Sequence, residues 1–365
     1  MSAAIRADHI GSFLRPADII EARHQGDTGS EHLHELEDRA IERVLVKQRE
    51  LGLDVLSDGE FRRNGFMGDL TAAVDGFDYG EGIPRQWKSG TAVAPSQPLR
   101  GIVTSKLVQK RRLTAHETPY MKAHAHGPYK MTLPSATQFP AIAWKKGAST
   151  DAYPEPSDLL HDITAIIERE MAALAAEGVP YIQIDAPRYS YYLDPKWRDW
   201  LRAEMEGDPD KLLDEALAAD NACFKAARKP GIELAIHLCR GNNRSKWYAE
   251  GGYDAIAEKM FSTLDVDRFL LEYEDDRSGS FEPLRFVPKG KTVVLGLISS
   301  KLPRMEDKQQ LIRRIEAAAK YVPLENLALS PQCGFASVLE GNEMTEDEQW
   351  AKLGLVVDVA RTVWH

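Results

Sequence analysis

The chain has 365 residues, of which 43% are hydrophobic and 28% are charged, and its formal net charge is −10. This length suits one large α/β barrel or two ordinary domains, and the acidic balance argues against a nucleic-acid partner, which usually needs a basic face. No stretch approaches the ~20 apolar residues that span a bilayer, and the N-terminus has no secretory signal, so we expect a cytoplasmic protein with no membrane partner.

Eight short apolar or β-branched runs end in polar, Gly or Pro residues and are followed by stretches with helical periodicity. In chain order they are the run ending at residue 12, then 51–60, 127–136, 179–187, 231–239, 267–274, 291–299 and 325–334. Strand alternating with helix in this way predicts parallel βα units that close into a (β/α)8 TIM barrel. The alternative is an open, doubly wound sheet. The barrel interpretation makes residues 1–365 a single domain.

The intervening stretches carry helix signals. Between Ser157 and Gly178 the apolar residues recur on one face, at Ile163, Ile166, Ile167, Met171 and Leu174. Ser157 can cap the start of this helix, and Gly178 can end it.

Residues 77–126 interrupt the alternation and are rich in Gly, Pro and Lys. An alternating stretch at 101–113 predicts a β-hairpin excursion after the second strand. This stretch contains the basic residues Lys106, Lys110, Arg111 and Arg112. They can bind an anionic ligand, or they can simply be exposed to solvent on the surface of the hairpin.

The chain has only three cysteines, Cys223, Cys239 and Cys333. An odd, low count in a long chain argues against a disulfide scaffold and for a reducing compartment. Two of the three fall at the ends of predicted strands, where a parallel barrel carries its active site.

These strand ends hold a candidate metal site. The fifth strand ends in His237-Leu238-Cys239, the sixth carries Glu272, and the eighth ends at Cys333. Zinc takes four tetrahedral N, S or O ligands, and these four residues match that number and these ligand types. The set therefore predicts bound Zn²⁺. The other interpretation is that the cysteines are small buried hydrophobic residues and His237 is a core histidine.

The charge of such a centre indicates its chemistry. Zinc with two thiolates and one carboxylate is net negative, so it activates water poorly but keeps an entering thiol deprotonated. Thiol alkylation is therefore favoured over hydrolysis. Glu272 is the hardest ligand and the one most easily displaced by sulfur, which gives it a catalytic role.

Other strand ends suit an amino-acid substrate. Glu60 follows the second strand and Asp185 ends the fourth, and their carboxylates can bind an ammonium group. The backbone N–H groups from Ile10 to Ser12 can hold a carboxylate. Asp58 and Glu60 can instead cap a following turn or helix.

The segments HIGSF, SDGEFRRN, IQIDAP, HLCRGN and SPQCGF resemble the cobalamin-independent methionine synthase family, in its catalytic C-terminal barrel. The resemblance implies a zinc site at His237, Cys239, Glu272 and Cys333. It also implies that the homocysteine backbone is held by Ile10, Ser12, Glu60 and Asp185, and Asp185 is expected to act in catalysis as well.

The chain also departs from the family. It has no room for the N-terminal barrel that helps to bind folate, and the tryptophan that contacts the pterin is replaced near Pro134. Ile298 stands where the family has an acid histidine, and Ala186 follows Asp185 where the family has Glu. The departures imply a short single-barrel relative whose methyl donor is not free methyltetrahydrofolate, with a corrinoid or corrinoid protein as a candidate donor.

We therefore expect a zinc-dependent methyltransferase acting on homocysteine or a similar small-molecule thiol. One alternative is a zinc-dependent alkyltransferase that opens epoxides with a coenzyme M-like thiol. Its sulfonate would need cations, which are available nearby in sequence at Arg15, Arg62, Arg63 and Arg188. A second alternative is a zinc-binding protein without catalysis.

Overall fold

A computed structural model describes residues 4–85, 87–89, 92–93 and 97–364. Its strands are β1 (Val74–Arg85), β2 (Lys88–Ser89), β3 (Ala92–Val93), β4 (Gln97–Gln109), β5 (Lys130–Pro134), β6 (Tyr181–Asp185), β7 (Glu233–Leu238), β8 (Arg268–Glu272), β9 (Thr292–Ile298) and β10 (Leu327–Pro331).

The α-helices are α1 (Ala17–His24), α2 (Glu31–Leu51), α3 (Gly68–Ala73), α4 (Thr118–His124), α5 (Pro140–Ala143), α6 (Pro156–Glu177), α7 (Ser190–Leu193), α8 (Pro195–Glu204), α9 (Pro209–Ala227), α10 (Ala257–Thr263), α11 (Lys308–Ala318) and α12 (Glu346–Val363). Short 3₁₀ turns cover Ala136–Gln138, Pro187–Tyr189, Tyr253–Ala255, Asp276–Ser278, Glu282–Phe286 and Leu324–Asn326. None of the helices in the described part of the chain has the length and apolar character that crossing a bilayer requires.

Strands β5 to β10 form one parallel sheet in which neighbours are also consecutive along the chain. Each of the six lies within a segment that the sequence predicted as a strand. Every residue of β5, β6, β8 and β10 is buried, as expected of a parallel sheet covered on both faces. The α/β class is thus confirmed.

The first two predicted strands are shorter than expected. Ala7 forms a single parallel bridge with Leu329 of β10, and Leu56 forms one with Tyr129, just before β5. The N–H of Asp54 donates to the carbonyl of Ala7 at 3.2 Å. Each edge of the six-stranded sheet therefore gains one short segment, and the closed eight-stranded barrel stays a prediction.

A second, smaller hydrophobic cluster lies apart from the main core. The N-terminal segments contribute Ile5, Ile10 and Val55, and strands β6 to β10 contribute one residue each, namely Tyr181, Ala235, Leu270, Val294 and Ala328. Such a layer, with side chains drawn from many strands, is what the interior of a barrel would contain.

Helix α6 shows how apolar spacing positions a helix on the sheet. All five predicted apolar residues are buried, which contributes ~1.5–3 kcal/mol for each large side chain. Gly178 ends the helix with φ 78°, as predicted. The predicted cap was wrong: Glu155, not Ser157, caps the helix and forms a capping box with Asp158. Pro156 fits the first helical position, where no N–H is needed, so the helix begins earlier.

The segment between the second predicted strand and β5 departs from βα alternation. β1 and β4 pair antiparallel from Val74–Gln109 to Arg85–Gln97, and β2 pairs with β3. This pairing begins before residue 77, and α4 occupies the end of the predicted range 77–126. Residues 86, 90–91 and 94–96 of that range lie outside the described residues.

Three of the four basic side chains named in this segment contact carboxylates, whereas Arg111 donates to the backbone carbonyls of Arg112 and Leu113. Lys106 pairs with Asp162 at 3.5 Å and Lys110 with Asp75 at 2.6 Å. Arg112 contacts Glu170 in α6. These pairs favour the interpretation of a solvated surface over that of an anion site.

Candidate metal and substrate site

Three of the residues predicted to bind zinc come together at one end of the sheet. His237 lies in β7, Cys239 follows that strand, and Cys333 follows β10. One ligand atom from each lies within 4.8 Å of those of the other two, and all three residues are buried. Tetrahedral zinc with Zn–S bonds of ~2.3 Å holds its sulfur ligands about 3.8 Å apart, so the cluster has the right size for one ion.

Both ring nitrogens of His237 are buried and have no hydrogen-bond partner among the described residues. Buried polar atoms are normally satisfied, because leaving one without a partner costs ~1–3 kcal/mol. Burial lowers the pKa of His237, but Cys333, Asp185 and Glu272 outweigh it and raise that pKa above its ordinary value. The residues present therefore fit a cation bound at this ring.

The pKa values of the two cysteines are shifted in opposite directions. The hydrogen-bonding contact with Cys239 lowers the pKa of Cys333, and His237 and Lys301 lower it further. The same contact, together with burial, raises the pKa of Cys239. The protein alone favours one thiolate, and a bound cation would favour the second.

Glu272 ends β8 and is fully buried, but it is not part of this three-residue cluster. Its Oε2 atom accepts the backbone N–H of Arg240 at 2.8 Å, and its Oε1 atom has no hydrogen-bond partner in the described chain. Burial raises the pKa of this carboxyl, but Lys301, Arg240 and Arg277 outweigh burial and keep the pKa below its ordinary value. Ligation of a metal by Glu272 stays a prediction.

A cavity of about 300 Å³ opens over the cluster. Except for Glu272, every residue that the sequence predicted to bind zinc or homocysteine lines this cavity, namely Ile10, Ser12, Glu60, Asp185, His237, Cys239 and Cys333. The register between β6 and β7 places Asp185 opposite His237. Because parallel strands end at the same edge, residues that are distant in sequence meet here. The volume lies at the lower end of the range for small-molecule sites.

Glu60 has a strained backbone, with φ 58°, which costs a residue other than Gly of order 1–3 kcal/mol. Its Oε1 atom accepts a hydrogen bond from Thr132 at 2.8 Å, and its buried Oε2 atom has no partner among the described residues. Gly11 leaves room for this carboxylate, since a Cβ at Gly11 would lie 3.0 Å from Oε1. Strain beside an unsatisfied carboxylate oxygen points to a binding role.

Asp185 is held by a chain of buried polar groups. Lys130 donates to Oε1 of Gln183 at 2.9 Å, and Nε2 of Gln183 donates to Oδ1 of Asp185 at 2.8 Å. Burial outweighs the attraction of His237 and raises the pKa of Asp185 to about 7. An ammonium group bound beside this carboxyl would favour its ionised form.

One of the four arginines considered as sulfonate partners lines the cavity. Arg15 donates to backbone carbonyls, Arg62 pairs with carboxylates of α2, and Arg63 pairs with Glu117 at 2.6 Å. Arg188, which follows β6, is the one that lines the cavity in the described chain.

Several residues of the cavity wall were missed by the sequence analysis. Trp87, from the segment between β1 and β4, packs edge-on against Tyr248 with ring centres 5.4 Å apart, and both line the cavity. No spacing rule links two segments so far apart. Lys301 was also missed, although a lysine just after a buried strand is a usable signal. It is 2% exposed, and its charge acts on Glu272 and Cys333.

The positions at which the chain departs from the family's methyl-donor site lie away from the cavity. Ile298 ends β9 inside the main hydrophobic core, and Pro134 ends β5. Neither lines the cavity. The described wall of the cavity contains no histidine besides His237, so no other histidine there can take the place of the family's acid histidine.

The chain matches the family described as cobalamin-independent synthase, catalytic domain, over residues 5–362. It belongs to this family. The uncharacterized protein YxjH of Bacillus subtilis is 39% identical over 100% of this chain and 96% of its own. The methionine synthase of Pyrococcus abyssi is 25% identical over 89% of this chain and 84% of its own. A solved structure from Listeria monocytogenes, assigned as a vitamin B12-independent methionine synthase, has a TM-score of 0.71 at 26% identity and covers 100% of this chain and 99% of its own.

Membership of the cobalamin-independent synthase family confirms the resemblance seen in the sequence. The fold is similar to the TIM-barrel catalytic domains of these enzymes. None of these comparisons supports a corrinoid partner.

Proposed function

We propose that this protein is a zinc-dependent S-methyltransferase that methylates the thiol of homocysteine or a similar amino-acid thiol. The observation that carries the proposal is a single cavity lined both by the cluster of His237, Cys239 and Cys333 and by the carboxylates of Glu60 and Asp185. The cluster suits a soft metal, and the carboxylates suit an ammonium group. Family membership and similarity to methionine synthases support the same class of reaction.

In this proposal His237, Cys239 and Cys333 would hold the zinc ion, and Glu272 would be the fourth ligand. When bound, zinc supplies Lewis acidity that lowers the pKa of a substrate thiol and keeps its sulfur nucleophilic near neutral pH. Glu272 already accepts a hydrogen bond from Arg240 through one oxygen. Because a carboxylate is the hardest donor of the set, Glu272 would be the ligand most readily replaced by a sulfur donor.

Glu60 and Asp185 would bind the ammonium group of the acceptor. Both are buried, and Oε2 of Glu60 has no partner in the described chain. The backbone N–H groups of Ile10 and Ser12 would hold the acceptor's carboxylate. Held by the ammonium and carboxylate groups on its α-carbon, the acceptor would extend its sulfur towards the metal cluster, so the main contribution of these residues is orientation. Two carboxylates at this position disfavour a sulfonate thiol as the acceptor.

The proposal is tested by measuring methionine formation from homocysteine with zinc-loaded protein and a panel of methyl donors. The matched acceptor is γ-mercaptobutyrate, which has the same length and thiol but no amino group. We expect homocysteine to be methylated and γ-mercaptobutyrate to be a poor acceptor. Equal methylation of both thiols, or zinc-loaded protein that methylates neither thiol with any donor, would contradict the proposal.

A further inference from the structure

We propose that Arg188 is the receptor for a carboxylate group of a substrate bound in the cavity. The proposed function assigns no side chain to a negative charge, so this inference goes beyond it. It rests on the proposed function only in taking the cavity as the substrate site.

The first argument is burial without a counter-charge. Arg188 lies in the turn Pro187–Tyr189 after β6 and is 6% exposed. A buried guanidinium normally has an anionic partner, because its removal from water is costly. Arg188 donates to the hydroxyl of Tyr191 at 3.2 Å, its Nε has no partner, and no carboxylate among the described residues pairs with it.

The second argument is the orientation of the guanidinium. Its Cζ atom lies 4.7 Å from the ring centre of Tyr248 and 5.1 Å from that of Tyr191. These rings attract a cation and restrain its plane, but they do not neutralise it. The planar fork of donors suits a carboxylate, whose two oxygens can accept from it side by side.

The third argument is the position of a second unused donor. The indole N–H of Trp87 is buried without an acceptor in the described chain, and Trp87 lines the same cavity as Arg188. Both side chains pack against Tyr248. Two residues of the cavity wall thus carry unsatisfied buried donors beside one ring, in addition to the carboxylates of Glu60 and Asp185. The anion can belong to the thiol acceptor itself or to the second substrate.

The test measures binding rather than turnover, so that failure of the proposed function and failure of this inference are distinguishable. One ligand pair is homocysteine and homocysteamine, which differ in the acceptor's carboxylate. The other pair is β-methylthiopropionate and methionol, methyl thioethers that differ in their anionic group. Titration calorimetry compares the wild type with Arg188→Gln, Arg188→Lys and Arg198→Gln. Arg198 pairs with Asp210 at 2.9 Å and does not line the cavity, so it is the matched control.

We expect the wild type to prefer the anionic member of at least one pair by ~10-fold or more, the range for a charged hydrogen bond. Arg188→Gln should reduce this preference several-fold, and Arg198→Gln should keep it. If the variant's preference for the anionic ligand falls in the homocysteine pair, the anion belongs to the acceptor. If that preference falls in the thioether pair, the anion belongs to the second substrate. Either result supports the inference.

No preference in the wild type, or an unchanged preference in folded Arg188→Gln for both pairs, would overturn it. If Arg188→Gln does not fold, Arg188→Lys decides the question. This variant keeps a charge but loses the planar fork, so the preference should fall several-fold, and an unchanged preference would overturn the inference.

Discussion

The sulfur atoms of Cys239 and Cys333 lie within 4.8 Å of each other, although they follow strands that are not neighbours in the sheet. β8 and β9 lie between β7 and β10, so the strand ends must curve towards one another for the sulfurs to meet. Next to Cys333, Gly334 lets the loop approach the N-terminal segment, because a Cβ there would lie 2.0 Å from Oγ of Ser12. The metal cluster and the N-terminal segment therefore pack against each other.

Removal of either cysteine of the cluster should remove most of the zinc. Cys239→Ser and Cys333→Ser each replace a soft ligand with a weakly binding hydroxyl, so we expect well below one zinc per chain by elemental mass spectrometry. Cys223→Ser is the matched control, because its buried thiol contacts the carbonyl of Thr164 instead of the cluster. Undiminished zinc in both cluster variants would show that the metal binds elsewhere.

Glu60→Gln should weaken discrimination between amino-acid thiols and simple thiols. The variant removes one of two carboxylates facing the acceptor's ammonium group, so the affinity gap between homocysteine and γ-mercaptobutyrate should narrow by about 1–3 kcal/mol. Calorimetric titration measures the gap. Glu250→Gln, which removes a charge paired with Lys88 at 3.0 Å, should leave the gap unchanged. An undiminished gap in Glu60→Gln would exclude Glu60 from ammonium binding.

Asp220 should make stability fall as pH rises towards 7. It accepts hydrogen bonds from Ser135 at 2.7 Å and Tyr189 at 2.9 Å, but burial outweighs them and raises its pKa to about 7. This folded-state pKa lies above the unfolded value of ~3.9, so the folded chain holds the proton more tightly and the group's contribution is lost as pH rises through the folded pKa.

The neutral variant Asp220→Asn lacks this pH dependence. Its free energy of unfolding, relative to that of the wild type, should therefore rise by about 2 kcal/mol between pH 5 and pH 7, as measured by urea unfolding at both pH values. A stability difference that does not change with pH would mean that Asp220 ionises normally in the folded protein.

Free methyltetrahydrofolate should be a negligible methyl donor. Its leaving nitrogen must be protonated, and a positioned acid contributes ~10²–10⁴-fold to such a step. Ile298, at the position of the family's acid histidine, has no proton to give and is packed in the core. A sulfonium donor such as S-methylmethionine leaves as a neutral thioether, so we expect labelled methyl to reach homocysteine from it. Robust turnover with methyltetrahydrofolate that Lys301→Met abolishes would instead identify Lys301 as the acid.

The sequence predicted those features that depend on local pattern. Short apolar runs placed six strands correctly, and the scarcity of cysteine drew attention to Cys239 and Cys333. The segments at Ala7 and Leu56 form only single bridges, a pairing that depends on contacts at the sheet edges and not on apolar pattern.

Contacts between distant segments could not be predicted in this way. Because Arg15, Arg63 and Arg188 all lie close in sequence to predicted site residues, they were equivalent candidates for binding an anion. Packing commits the first two to carbonyls and to Glu117, and leaves Arg188 at the cavity. The contact between Trp87 and Tyr248 likewise depends on how the segment between β1 and β4 folds back on the sheet.

The number of sulfur ligands on the bound zinc tests the central claim most directly. Zinc K-edge X-ray absorption would be recorded on the zinc-loaded protein with and without saturating homocysteine. Our account predicts two sulfur neighbours at ~2.3 Å without the thiol and three with it, with the loss of one oxygen neighbour as Glu272 gives way. A site that keeps the same two sulfur neighbours at saturating homocysteine would contradict the proposal that this protein activates its thiol substrate on zinc.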